Sequence, residues 1–288
     1  MVEDLVRPRG PFSLRTSARL AGDATRRFDG RILVCLFELD GRLERAAAWQ
    51  QTDGAVELRA LSEEGLLRLK AVLPLEADHT EFLERFADDP LLRRPVRELR
   101  GLRPLRLGTV TQAVLRAICG QLIEAKRARN LELRLIRATS PTDGALHAPP
   151  EPKAFCAFAP AELQRLGLSA RKAATLVRLC RTLDLERLRF VPPAAAARRL
   201  ERERGLGPWS VGVIGLQGLG CYHFGLVGDL GLIKLCSALL GGRAEPEDTA
   251  ELLRPYGEWQ GLASVYLLAG LAKGLLPVPA ERGLPTAA

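Results

Sequence analysis

The apolar positions change their period partway along the chain. Residues 31–39 form a nearly continuous apolar run, and 43–50, 55–60 and 66–73 repeat shorter ones. Such runs predict strands. Asp40-Gly41 and Asp53-Gly54 break the series, and Asp-Gly between apolar runs signals a tight hairpin, because glycine supplies the positive φ that the turn needs. Residues 12–20 read as a short, mixed strand, and a covering helix is expected around 18–27. Residues 1–76 are thus predicted to be a small antiparallel α+β domain. After Pro74 the spacing becomes helical. Phe82, Leu83 and Phe86 share one face of a helix over 78–88. A basic segment, 93–106, is interrupted by Pro95 and Pro104. Residues 109–137 read as helix broken near Gly120, with Val110, Ala113, Val114, Ala117, Ile118, Gln121 and Leu122 along one side. A loop over 140–152 follows. Further helices are predicted over 161–166, 169–183, 193–203, 208–219, 229–240, 247–254 and 257–273, with a loose tail from Pro277. The fold class is α+β, a small antiparallel-sheet domain followed by a larger all-α domain over 77–288.

Composition narrows the partners. A chain of 288 residues that is 47% hydrophobic argues against disorder. The one charge-free window long enough for a membrane span, 205–228, is rich in glycine and contains Pro208, Gln217 and His223, so no membrane association is expected. The net charge is +8, and only six of the 42 cations are lysine. An arginine-heavy basic protein points to an anionic partner such as nucleic acid. A GC-rich genome that spells surface cations as arginine gives the same composition. The six cysteines lie in apolar surroundings without a CxxC pair, which reads as reduced core thiols. With no signal peptide at the amino terminus, a cytoplasmic location is expected, nucleoid-associated if the source is bacterial. His79, His147 and His223 are far apart, so neither zinc nor any other metal cluster is expected.

The segment carrying most chemistry is 200–211. One helix ends there, Gly205-Leu206-Gly207 turns, and Pro208 opens the next helix, where its missing N–H costs nothing. Two glycines would let the turn adopt left-handed dihedrals and bring the backbone close to a ligand. Leu206 would point into the core, and the amides at the second helix's positive end would form a phosphate site that reads no sequence. An ordinary αα-hairpin capped by glycine has the same sequence. Asp229 heads an apolar-periodic helix through Leu230, Leu232, Ile233 and Leu235. It reads as an N-cap, a position that also keeps a carboxylate ionised.

Taken together, Ala117-Ile118-Cys119-Gly120-Gln121-Leu122, Gly205-Leu206-Gly207-Pro208-Trp209-Ser210 and Val227-Gly228-Asp229-Leu230-Gly231-Leu232 resemble the helix-hairpin-helix DNA glycosylase superfamily, in its 3-methyladenine (alkylated-base) branch. Asp229 stands 22 residues beyond Gly207. Residues 163–178 are similar to the helix that precedes the hairpin, here 193–219. The resemblance covers residues 80–275, and the amino-terminal sheet matches the extra domain of larger bacterial members. It implies Asp229 as catalytic carboxylate. It implies Gln121 and Leu122 at the loop that fills the gap left by a flipped nucleotide, with Leu122 as wedge. Gly205, Leu206, Gly207 and Ser210 would join them at the DNA, with Arg127, Arg129 and Lys172 as candidate backbone contacts. Trp209 stands where bifunctional members carry a Schiff-base lysine, which implies a monofunctional enzyme that leaves an abasic site. Trp209, Val213 and Leu230 would line the base pocket together with a residue near Leu268. Only the first of these is aromatic, and Tyr222, His223, Phe224, Trp259 and Tyr266 are candidates to compensate. No cofactor is implied: the closely spaced cysteines of iron–sulfur members are missing, and the hairpin carbonyls leave room for one monovalent cation. The implied partner is double-stranded DNA containing damaged bases, bound by a monomer in base excision repair. A non-catalytic helix-hairpin-helix protein that binds DNA or senses damage, and a glycosylase for another base such as hypoxanthine, are the alternatives.

Overall fold

The computed structural model describes residues 1–19 and 21–277. Five strands form one antiparallel sheet: β1 (Val2–Val6), β2 (Arg26–Phe28), β3 (Ile32–Leu39), β4 (Arg42–Gln50) and β5 (Val56–Ala60), in the order β1-β5-β4-β3-β2. The hairpin between β3 and β4 turns at Asp40 (φ 47°) and Gly41 (φ 77°), the pair of left-handed residues that an Asp-Gly turn supplies. Register pairs Ile32 with Trp49 and Leu39 with Arg42. On β3, Leu33, Cys35, Phe37 and Leu39 face one core at the strand period of two.

Three expectations for this region are corrected. Residues 66–73 lie in a helix, Glu63–Val72. The side chain of Ser62 caps it by accepting from Gly65 N–H, Glu63 and Glu64 occupy its first turn, and Leu66, Leu69 and Val72 face inward at helical spacing. Glu44 of β4 fixes the entry, accepting from the amides of Leu61 (2.8 Å) and Ser62 (2.9 Å) and from Ser62 Oγ (2.7 Å). Residues 12–19 are not a strand, residue 20 lying outside the described residues, and the covering helix is Leu14–Arg19 rather than 18–27. There Leu14 N–H donates to Gln50 Oε1 at 2.9 Å. Strand β1 has no counterpart in the sequence reading, because it turns Asp4 inward and Leu5 outward, which hides the alternation.

The remainder is helical, and its centre is Val110–Gly120, buried on nearly every side. Around it pack Ala125–Thr139, Ala170–Thr182 and Pro208–Ile214 with its π-helical continuation Gly215–Leu219, while Leu230–Leu240 and Gln260–Ala272 pack on each other in the same core. The basic segment contains a short helix, Arg93–Glu98, which tolerates Pro95 in its first turn. The 140–152 loop carries a two-strand ladder, Thr142–Asp143 with Leu146–His147. From residue 278 the tail lies outside the described residues. No helix among them is long and apolar enough to cross a membrane.

The apolar residues divide into two cores. One is built from residues 14–75 with Leu105, the other from residues 82–276 with Ala24. Arg103 stitches the segments between them. It is fully buried and donates to the carbonyls of Arg9, Pro11 (2.9 Å), Pro74 (2.7 Å) and Leu75 (3.3 Å). Beside this junction His79 is buried and packs edge-on against Tyr222, with ring centroids 4.7 Å apart. Burial pushes its pKa down to about 3. The unfolded chain therefore takes up that proton first, and stability falls as pH drops from about 6.5 towards 3. In urea titrations the His79→Phe variant should gain on wild type as pH is lowered through this window. Parallel stability profiles would contradict this.

Candidate active site

Helix Pro193–Glu201 precedes the hairpin and Pro208–Ile214 follows it. Gly205 takes φ +95°, and a Cβ there would stand 2.7 Å from Thr175 Oγ1, so both conformation and space require glycine. Gly207 corrects the sequence reading. Its backbone is extended, φ −92° and ψ 178°, and a Cβ there would meet nothing within 4 Å. Only one of the two glycines is left-handed; the other leaves open surface at the mouth of the second helix. Leu206 is buried in the core, as expected. The first intrahelical bond is Val211 N–H to Gly207 O at 3.0 Å, so the amides of Trp209 and Ser210 have no partner within the helix. Ser210's side chain is buried and accepts from Gln121 Nε2 at 3.0 Å, so only its backbone remains for a ligand. Arg178 braces the turn from below, donating to Arg204 O (2.7 Å) and to Glu203 Oε2 (2.6 Å).

Asp229 caps helix Leu230–Leu240. Its Oδ1 accepts from the amides of Gly231 at 2.8 Å and Leu232 at 3.4 Å. Its Oδ2 accepts from Trp209 Nε1 at 2.9 Å. The capping role and the site role thus fall on different oxygens of one half-exposed carboxylate. The two amides and the indole N–H fix the orientation of the carboxylate. The indole that reaches it rests against Gly120: a Cβ at that position would stand 2.4 Å from Trp209 Cη2. Gly120 was legible in the sequence only as a helix break, and the structure makes it the seat of the tryptophan ring.

The central helix ends at Gly120, and the chain turns at Leu122 with φ +57°. Leu122 is 94% exposed, so it is not the core residue that its helical spacing suggests. A leucine held in a left-handed conformation and projecting into solvent has the form of a wedge. Its neighbour Gln121 points back to the hairpin, donating to Gly205 O at 2.8 Å as well as to Ser210 Oγ. Lys172, expected as a backbone contact for DNA, instead caps the end of the central helix, donating to Gln121 O (2.8 Å) and Cys119 O (3.3 Å). Arg127 and Arg129 are exposed.

A charged network not foreseen in the sequence brackets the wedge loop. Arg116, on the central helix, donates to Glu132 on the following helix (3.0 Å), to Gln217 Oε1 on the π turn (2.9 Å) and to Asp23 Oδ2 beside the sheet (2.7 Å). Arg26, itself buried, pairs with Asp23 at 3.3 Å. Two signals were available: Arg116 is the lone charge in an apolar run, and Glu132 the lone acid in a cationic helix.

Of the pocket residues, Val213 is buried one turn beyond Trp209, while Leu230, 45% exposed, follows Asp229 directly. The aromatics proposed to compensate go elsewhere. Tyr266 is fully buried, and its hydroxyl donates to Leu102 O at 3.1 Å. Tyr222 and Trp259 stack with centroids 6.2 Å apart, and Trp259 also meets Phe82 at 5.8 Å. His223 is exposed, and Phe224 packs against the core beside Gly215. Among the described residues none of these rings stacks on Trp209 or hydrogen-bonds to Asp229.

No protein-family model matches the chain. A DNA-3-methyladenine glycosylase of Bacillus subtilis (strain 168) is 26% identical over 208 residues, 67% of each protein. Among solved structures, a 3-methyladenine DNA-glycosylase from Archaeoglobus fulgidus superposes with a TM-score of 0.78 at 21% identity, covering 93% of this chain and 97% of the other. An 8-oxoguanine glycosylase/lyase from Clostridium acetobutylicum, in complex with dsDNA containing cytosine opposite 8-oxoG, gives 0.73 at 16% identity, covering 95% and 98%. The chain has the fold of the helix-hairpin-helix DNA glycosylase superfamily and shares sequence with its 3-methyladenine branch.

Proposed function

We propose that this DNA glycosylase is monofunctional: it turns an alkylated base out of duplex DNA and hydrolyses the bond between base and deoxyribose, leaving an abasic site. The observation that carries this reading is the carboxylate of Asp229, held between helix amides and the indole N–H of Trp209. Cleavage of that bond passes through an oxocarbenium-like sugar. An ionised carboxylate about 4 Å away, at an effective dielectric near 20, stabilises such a cation by roughly 4 kcal/mol, about a thousandfold in rate. The same group can orient or deprotonate the attacking water. Many alkylated purines are cationic and leave readily, so the site needs no second carboxylic acid, unlike most sugar hydrolases.

Trp209 supports hydrolysis over lyase chemistry, since an indole offers no amine for a Schiff base. Lys172, bound to helix carbonyls, is not placed to replace it. The exposed Leu122 supports base flipping, filling the gap in the stack with apolar surface. The hairpin amides suit phosphate contact without sequence reading. The hairpin carbonyls of Glu203 and Gly205 each accept one internal bond, from Leu206 N–H and Gln121 Nε2. Each keeps a second lone pair, the donor type that a monovalent cation takes, and such an ion would brace the turn. A purely binding protein has no use for an ionised carboxylate beside a phosphate grip, which weighs against the non-catalytic reading.

Incubated with methylated duplex DNA, the protein should release free base without nicking the strand, and borohydride should trap no protein–DNA adduct. No release from a panel of alkylated substrates, or a trapped adduct, would overturn the proposal. Leu122→Ala should leave stability within about 0.5 kcal/mol. It should slow release from a paired lesion by roughly tenfold or more and slow an unpaired lesion much less. Equal loss on both substrates would exclude the wedge role.

A further inference from the structure

The helix Ala125–Thr139, which starts just after the wedge loop, is charged in one direction only. Lys126, Arg127, Arg129, Arg134 and Arg137 are its cations and Glu132 its single acid. Its net charge of +4 is half of the chain's +8. The acid is buried and spent on Arg116, whereas all five cations are exposed. None of the five forms an ion pair among the described residues. At 100° per residue Lys126, Asn130, Arg134 and Arg137 fall on one face, opposite Glu132 and Leu135. Asn130, Leu133, Arg134 and Arg137 together line a shallow groove. From Lys126 to Arg137 this face runs roughly 16 Å at 1.5 Å rise per residue. Elsewhere the protein pairs much of its surface charge, as in Arg7 with Asp53, Arg45 with Asp143 and Arg59 with Glu3. An unneutralised cationic row, anchored at one end to the wedge, fits a row of phosphates.

We infer that the face formed by Lys126, Asn130, Arg134 and Arg137 is a second phosphate-binding surface, which holds duplex DNA on the side of the wedge away from the hairpin. This rests on the reading that the chain acts on DNA. The hairpin grips one stretch of backbone through amides, and this face grips another through charge. Along the chain Leu122 stands between Gln121, which touches the hairpin, and Lys126, which opens this face. The contact carries no sequence information and is electrostatic.

The test is the salt dependence of binding to a 30-base-pair duplex carrying a central abasic-site analogue. Each phosphate neutralised contributes about 0.9 to the slope of log K against log salt, so Arg134→Ser/Arg137→Ser should lower the slope by about 1.8. Arg31→Ser/Arg42→Ser removes the same charge from exposed positions just before β3 and at the start of β4 and should leave the slope unchanged. Arg134→Lys/Arg137→Lys should restore it, which also separates loss of charge from loss of fold. An unchanged slope in the first variant, or an equal fall in both serine pairs, overturns the inference. Base release by the wild-type protein is scored separately: its absence refutes the glycosylase mechanism and leaves the slope comparison to decide this surface.

Discussion

The site depends on one arrangement, the Asp229 carboxylate held with each oxygen assigned. Oδ1 closes the amino terminus of helix Leu230–Leu240, and Oδ2 receives the indole N–H of Trp209. A carboxylate that accepts amide bonds at a helix end is held in place. On the proposed mechanism that matters, because a preorganised group costs no reorganisation as a sugar cation forms opposite it. Trp209 reaches Asp229 because Gly120 has no side chain to block the ring. The last residue of the central helix therefore determines where the indole lies, and the indole joins the hairpin to the acid.

The same few residues join the wedge to the phosphate grip. Gln121 holds Gly205 O and Ser210 Oγ, Lys172 closes the helix end beneath it, and Arg116 ties the helices on either side of the loop. Leu122 itself, 94% exposed, has no inward role. Such bracing suits a residue that must enter a base stack, since a mobile leucine would lose order on insertion while a fixed one has little to lose. The arginine cluster has a cost. Glu132, Asp23 and Arg26 are removed from water and Arg116 is largely so, and burying ion pairs is seldom a net gain in stability. What it supplies is a fixed relation between the sheet, the central helix and the helix that carries the cationic face.

Much of this was legible in the sequence, for identifiable reasons. Asp229, the hairpin and Leu206 follow from local rules: capping residues, glycine turns, and proline at a helix start. The two Asp-Gly turns gave the sheet its hairpins. Residues 66–73 misled because a buried helix and a buried strand have similar composition over eight residues, and the decisive signal lay upstream in Ser62-Glu63-Glu64. Strand β1 was hidden by an outward leucine. Gly207 was over-read, since a glycine can be present for space and not for its dihedral angles. Tertiary partners were the hardest to see. Nothing local says that Lys172 caps a helix 53 residues away in sequence, that Tyr222 stacks on Trp259, or that Tyr266 packs on Phe82.

On the proposed function, a base seated beside Trp209 would meet fewer aromatic faces than stacking on a cationic base favours, and more of the catalysis would rest on the charge of Asp229. Single-turnover base release from methylated duplex DNA, comparing wild type with Asp229→Asn, tests this most directly. The amide keeps the shape of the carboxylate and an oxygen acceptor but removes the charge. Release should fall about a thousandfold while the affinity for an abasic-site duplex changes by no more than a few-fold. Release at the wild-type rate would contradict the account.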